Sequence, residues 1–281
     1  MPTHAGSLLG AILAFGCGAL QAAESPDKPA QGVLFEDVRI FDGTSDRLSA
    51  RSSVLVVGNV IHGISAARIP VPPGIEVTRV NGGGRTLMPG LIDNHVHITL
   101  SAWSQHDALQ PDMTPEKLEV RAAQEAEKML LRGFTAARDL GGPVFSLKAG
   151  IDAGKYKGPR IWPSGAMVSQ TSGHGDTRLP EERSRVFFGE VSRGEQLGAN
   201  FIADGRAAVL TAVRENLRFG ASQIKVMAGG GAATTYDPLD VTQYTADEMR
   251  AAVEAAEDWN TYVTVHAYTP RAVRRAVEAG V

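Results

Sequence analysis

His95 and His97 stand two residues apart in the run Leu91-Ile92-Asp93-Asn94-His95-Val96-His97. Residues two apart on a β-strand point to the same face, so two imidazoles there can hold one metal ion. An isolated His-x-His pair is just as well two polar residues at a strand end. Lys225 sits in Gln223-Ile224-Lys225-Val226-Met227, a lysine inside an apolar strand-like run. A buried ammonium is costly unless its charge is removed or paired. Such a lysine is a cation reaching a cleft or a Schiff-base amine of the aldolase kind. His266 closes Val263-Thr264-Val265-His266 and alone reads as a structural histidine. His174, in Ser172-Gly173-His174-Gly175-Asp176, lies on a glycine-rich loop that a substrate can approach closely. The alternative is a solvated loop histidine. Tyr236, beyond Gly229-Gly230-Gly231, is a candidate for holding a substrate carboxylate. Those glycines could suggest phosphate binding, but no helix start follows directly and a flexible loop suffices.

A frame must bring these residues together. From Met88 onward the chain alternates strand, loop and helix. Leu91 to Val96 reads as a buried strand. The helix from Pro115 to Arg132 has Thr114 as its cap, Pro115 at its first position and Gly133 past its end. Phe134 to Arg138 is a second strand, Phe145 to Ala153 a short helix, and Arg160 to Ser164 a third strand. A long loop, Gly165 to Asn200, follows. Asp204 is the expected cap of a helix from Gly205 to Phe219. Gln223 to Met227 is a fourth strand. Thr245 and Glu248 form a capping box, and Tyr262 to His266 is a fifth strand. The alternation implies a parallel α/β sheet with right-handed crossovers, either a closed barrel or an open doubly wound sheet. Before it, after a polar stretch from Glu24 to Gln31, Val33 to Leu91 is rich in β-branched residues, with a two-residue hairpin at Gly58-Asn59.

The string from Met88-Pro89-Gly90 through His97 resembles the first barrel strand of the amidohydrolase superfamily, metal-dependent hydrolases. Gly133-Phe134-Thr135 with Arg138-Asp139 is similar to that family's second strand. The loop around His174 resembles the branch that includes Xaa-Pro dipeptidases and imidazolonepropionase-like proteins. A narrower likeness is to amidohydrolases that cleave the amide of ochratoxin. The resemblance implies a (β/α)8 TIM-type barrel, of which about five βα units fall within residues 88–281. It also implies that residues 24–87 are half of a composite β-sandwich. It makes His95, His97, Lys225 and His266 metal ligands, Lys225 as a carbamate formed with carbon dioxide and bridging two divalent ions, Zn²⁺ by expectation. His174 would touch the substrate or its oxyanion. The implied reaction is hydrolysis of a peptide-like or N-acyl amino acid amide with a free carboxylate, by a metal-activated hydroxide.

The family pattern also asks for a sixth-strand histidine and an eighth-strand aspartate. Neither has a counterpart here, and Asp237, Asp240 and Asp247 fall between the fourth and fifth strands. The expectation is therefore a fragment of a longer protein, inactive as it stands. A Schiff-base lyase using Lys225 and an inactive secreted binding protein stay as alternatives. His62 and His106 read as surface residues. Arg138 and Asp139 read either as supports of the site or as an ion pair at its rim.

Composition narrows the setting. The chain is 43% hydrophobic and 21% charged with net charge -3, and no basic stripe points to nucleic acid. Residues 1–23 read as a signal peptide, with an apolar stretch from Leu8 to Leu20 too short to span a bilayer. A periplasmic or secreted enzyme is expected. A lipid anchor at Cys17, the single cysteine, is the second choice, because Ala14 and Phe15 fit a lipobox poorly. Homo-oligomerisation is left open.

Overall fold

The structure, a computed structural model, describes residues 30–234 and 236–281. The signal segment and Cys17 lie outside the described residues. Two compact units divide at Pro89 and Gly90.

In the first unit, β1 (Ala30–Ile40) is the organising strand. It pairs antiparallel with β2 (Ser52–Val57) and parallel with β4 (Ile75–Asn81). β3 (Val60–Ser65) folds back on β2, and β5 (Thr86–Leu87) runs beside the end of β1. Gly58-Asn59 makes the expected hairpin, with Val57 opposite Val60. Gly58 has φ +58, which a two-residue hairpin turn demands and glycine supplies without strain. Leu34, Leu55 and Ile69 form the buried cluster of this unit.

The second unit alternates strands and helices. Its elements are β6 (Leu91–Val96), α1 (Ile98–Ser101), α2 (Gln105–Ala108), α3 (Pro115–Leu131), β7 (Phe134–Asp139), α4 (Phe145–Asp152), β8 (Arg160–Pro163), β9 (Met167–Ser169), α5 (Arg185–Phe188), α6 (Arg193–Gln196), β10 (Asn200–Ile202), α7 (Arg206–Arg218), β11 (Ile224–Met227), α8 (Ala246–Glu257), β12 (Val263–His266) and α9 (Pro270–Glu278). Every ladder is parallel: β6-β7-β8 form one sheet and β10-β9-β11-β12 another. Ser222 N donates to Pro163 O at 2.8 Å, and Gln223 Nε2 donates to Trp162 O at 3.1 Å. The start of β11 is thereby tied to the end of β8, and the run from Arg160 to Ser169 links the two sheets. This is a mixed α/β fold with parallel sheets.

Local signals account for the helices. Thr114 accepts from Lys117 N at 3.3 Å, and Pro115 occupies the first turn, where its missing N–H costs nothing. Leu118, Ala122 and Ala126, four residues apart, give α3 its buried stripe. Thr245 and Glu248 cap α8 reciprocally. The main core lies between α7, α8 and the strands β11 and β12, with Val213, Ile224, Val226, Met249 and Ala256 buried together.

Two expectations need correction. The segment from Gly165 to Asn200 is not a plain loop. It contains β9, α5 and α6, and β10 begins at Asn200. β9 is three residues long and wholly buried, too short to show a period. Asp204 does not cap α7. Its carboxylate accepts from Thr171 N and Thr171 Oγ1, at 2.9 and 2.6 Å, and Gly205 stands at the cap with no side-chain bond. Among the described residues no helix is long and apolar enough to cross a membrane.

Candidate active site

In parallel sheets the C-terminal strand ends are where chemistry gathers. Here they bring together a cavity of about 370 Å³, lined by His95, His97, His174, Lys225 and His266. His95 comes from β6, and His97 caps α1 directly after it. Lys225 comes from β11 and His266 from the end of β12, where it pairs in register with Met227. Opposite them Leu109, Leu118 and Leu197 give the cavity an apolar wall.

Lys225 is only 1% exposed. Its Nζ lies 3.4 Å from His95 Nε2. No Asp or Glu lines the cavity among the described residues. Burial first, and the Arg138 guanidinium second, pull the Lys225 ammonium down to about 8. The imidazoles respond likewise. Burial lowers His97 to about 4 and, with help from neighbouring His174, His266 to about 4. His95 is lowered by burial and then by Lys225. Near neutral pH His97 and His266 are neutral, each with one ring nitrogen carrying a lone pair.

Hydrogen bonds set which nitrogen is free. His97 Nδ1 lies 3.2 Å from Gly141 O, so that nitrogen carries the proton and Nε2 carries the lone pair. Gly141 is held in turn by Asp139, whose carboxylate accepts from Gly141 N at 3.1 Å and Ile98 N at 2.7 Å. Asp139 is fully buried, and burial pushes it up to about 7 against those two bonds. Arg138 instead donates to Asn94 O at 2.8 Å and to Tyr262 Oη at 3.2 Å. The pair are therefore separate braces, one beneath His97 and one beside His95, rather than an ion pair with each other. His266 Nε2 lies 3.1 Å from Gly230 O, which leaves Nδ1 as its lone-pair nitrogen.

Among the described residues no three His, Cys, Asp or Glu side chains stand close enough together to share a metal ion. The donor set nevertheless suits a soft-to-borderline divalent cation: neutral imidazoles, two of them oriented through backbone carbonyls, around a buried amine with no counter-charge.

His174 stands in the same cavity, its ring stacked on His266 with centroids 3.9 Å apart and planes 11° apart. Its Nδ1 lies 2.9 Å from Asp237 Oδ2. Asp237 and Gln243, which bonds the His174 backbone N at 2.9 Å, were not legible as site residues. Asp237 precedes a proline after a glycine run, the composition of an ordinary turn. Tyr236 is not in this cavity. It borders a neighbouring depression with Arg178 and Pro180. His62 and His106 are exposed, as expected.

Residues 86–281 match the amidohydrolase family. The chain is 32% identical over 236 residues to ochratoxinase of Aspergillus niger, covering 82% of this chain and 49% of that protein. It thus spans about half the length of the curated relatives it matches. Among solved structures, a prolidase complexed with N-methylphosphonate-L-proline is 38% identical with a TM-score of 0.77, covering 89% of this chain and 59% of the other. A Xaa-Pro dipeptidase with bound methionine is 29% identical with a TM-score of 0.73, over 89% and 60%. The chain belongs to the amidohydrolase family.

Proposed function

We propose that the protein is a hydrolase that cleaves an amide bond with two divalent metal ions held at the strand ends. The observation that carries this reading is Lys225: a buried amine with no carboxylate near it, facing neutral imidazoles. Two divalent ions held side by side are best bridged by an anionic ligand, and among the described residues no Asp or Glu lines the cavity. A carbamate on Lys225 would supply one. An amine held near 8 is neutral often enough at physiological pH to add carbon dioxide.

His95, His97, carbamylated Lys225 and His266 would hold the metals, Zn²⁺ by the chemistry of the donors. The ions, when bound, would supply a water acidified to near-neutral pH and a Lewis acid for the carbonyl. The chain's own residues do the rest. Asp139 and Gly141 fix the His97 tautomer. The apolar wall excludes water, and His174 faces the substrate. The substrate class is a dipeptide or N-acyl amino acid with a free carboxylate, in keeping with the ochratoxinase and prolidase relatives. Tyr236 at the neighbouring depression is the candidate for that carboxylate. On this reading the strands are part of a (β/α)8 barrel and residues 30–87 part of a β-sandwich, which the likeness to the prolidase and dipeptidase structures, with TM-scores of 0.77 and 0.73, supports.

The test is hydrolysis of a panel of N-acyl amino acids and Xaa-Pro dipeptides by the complete protein, before and after chelation. Activity lost on chelation and restored by Zn²⁺ is the expected result. Activity that survives chelation, or that borohydride abolishes in the presence of a carbonyl substrate, would favour the Schiff-base chemistry of Lys225 instead.

A further inference from the structure

Three leucines make the apolar wall of the cavity, and each comes from a different part of the chain. Leu109 follows α2, Leu118 lies near the start of α3, and Leu197 follows α6. All three are buried, and Leu118 and Leu197 pack with Met113. None stands on a strand, so the spacing of the wall depends on how these segments are held to one another.

Arg193 makes that connection. Its Nη2 donates to Met113 O and, at 3.5 Å, to Gln110 O, across at least 80 residues of sequence. The two carbonyls belong to one turn, in which Met113 N donates to Gln110 O at 3.0 Å. Leu109 immediately precedes this turn and Leu118 follows it. On the other side, Leu197 N donates to Arg193 O at 3.1 Å, and a capping box of Ser192 and Glu195 fixes the backbone of α6. The third side-chain bond runs from Nη1 to Gln196 Oε1 at 3.3 Å. All these acceptors are neutral, so the half-buried guanidinium acts here through its rigid fork and not through charge pairing. Leu109 also borders the neighbouring depression that holds Tyr236, so it stands where cavity and depression meet.

We propose that Arg193 is a positioning residue that pins the Gln110–Met113 turn to α6 and thereby shapes a subsite for one large apolar side chain, that of the substrate residue bearing the free carboxylate. This rests on the amide-hydrolase reading for what is cleaved, but not for what the wall binds. An amide at the strand ends and a carboxylate at the depression put that side chain against Leu109. The cavity, at about 370 Å³, has room for a leucine-sized or aromatic group. An alanine leaves the wall unfilled, and a lysine would bury its charge against three leucines. A proline ring fits the same chemistry.

The experiment compares kcat/KM of the complete protein on the N-acetyl derivatives of alanine, leucine, phenylalanine and lysine. The wild type should prefer leucine and phenylalanine over alanine and lysine by about 10-fold or more. Arg193→Ala should cut that preference about 10-fold, chiefly by raising KM for the large apolar residues. Arg193→Lys, which keeps one donor for the turn, should recover part of it. Leu109→Ala should narrow the preference with the pin intact, and so tests the subsite even where Arg193→Ala fails to fold. A wild type without the preference, or one that favours lysine, would overturn the subsite. Equal losses on all four substrates in Arg193→Ala, the mark of a merely structural residue, would overturn the positioning role. A size preference that appears only when the acyl group is varied would overturn the placement. Calorimetric titration with free phenylalanine and alanine reads the wall without catalysis. Tighter binding of phenylalanine, weakened in Arg193→Ala, in a protein that cleaves no amide would sink the amide-hydrolase reading and leave the subsite standing. No difference between the two amino acids would sink the subsite whatever the protein cleaves.

Discussion

Lys225 and Asp237 are both buried ionisable side chains, one lining the cavity and the other bonded to its His174, and the fold treats them differently. Asp237 is met by a backbone amide, a hydroxyl, an amide side chain and an imidazole. Lys225 is met by one imidazole nitrogen and a distant repulsive guanidinium. The loop cluster is complete without a ligand. The strand-end cluster is not, and its amine is held well below an ordinary lysine in consequence. A satisfied buried charge positions something else; an unsatisfied one awaits a partner. The proposal that metals are held at the strand ends rests on that difference.

The comparison can be broken at its strongest point first. Replacing Lys225 with Ala should lower amide hydrolysis by about three orders of magnitude or more, because the proposed carbamate at the strand ends is gone. Steady-state kinetics on the wild type's own substrate read this directly. A loss under tenfold would mean that Lys225 holds no metal. Next, Gly231→Ala should cost about 10- to 100-fold in activity, because a Cβ there would overlap the His174 ring and displace it, while leaving metal content unchanged. Loss of metal in that variant would merge the two clusters into one.

The smaller effects are on stability. In the metal-free protein, protonating a lysine held near 8 rather than 10.5 costs about 3 kcal/mol. Lys225→Met should therefore stabilise the metal-free chain by about that amount at pH 7 in denaturant titrations, while removing activity. The sign in pH follows from proton counts. Between about 8 and 10.5 the unfolded lysine is protonated more than the folded one, so wild-type stability should rise with pH across that window. Lys225→Met should lack the rise. At the loop, Thr245→Ala should cost about 1 kcal/mol through the lost cap of α8, with no change in activity.

The strand-end residues were legible in the sequence because strand geometry and order along the chain say where they go. His95 and His97 share a face by spacing alone, Lys225 lies within a run and His266 ends a run whose apolar residues mark them as strands. The helix starts at Thr114 and Thr245 were legible for the same reason: a cap is a local signal. What stayed hidden depends on long-range packing. Asp237 looks like a turn residue until the loop folds it under His174. Asp204 looks like a helix cap until Thr171 claims its carboxylate. β9 is too short to carry a pattern, and its role follows from the strands either side of it. The placement of Tyr236 outside the cavity likewise has no local signature.

The most direct test is the metal content of the purified complete protein, measured beside Lys225→Ala after growth with zinc. The account predicts two metal ions per chain in the wild type and a sharp fall in the variant. An equal metal content in both, or none in the wild type, would contradict the claim that the buried lysine completes a metal site.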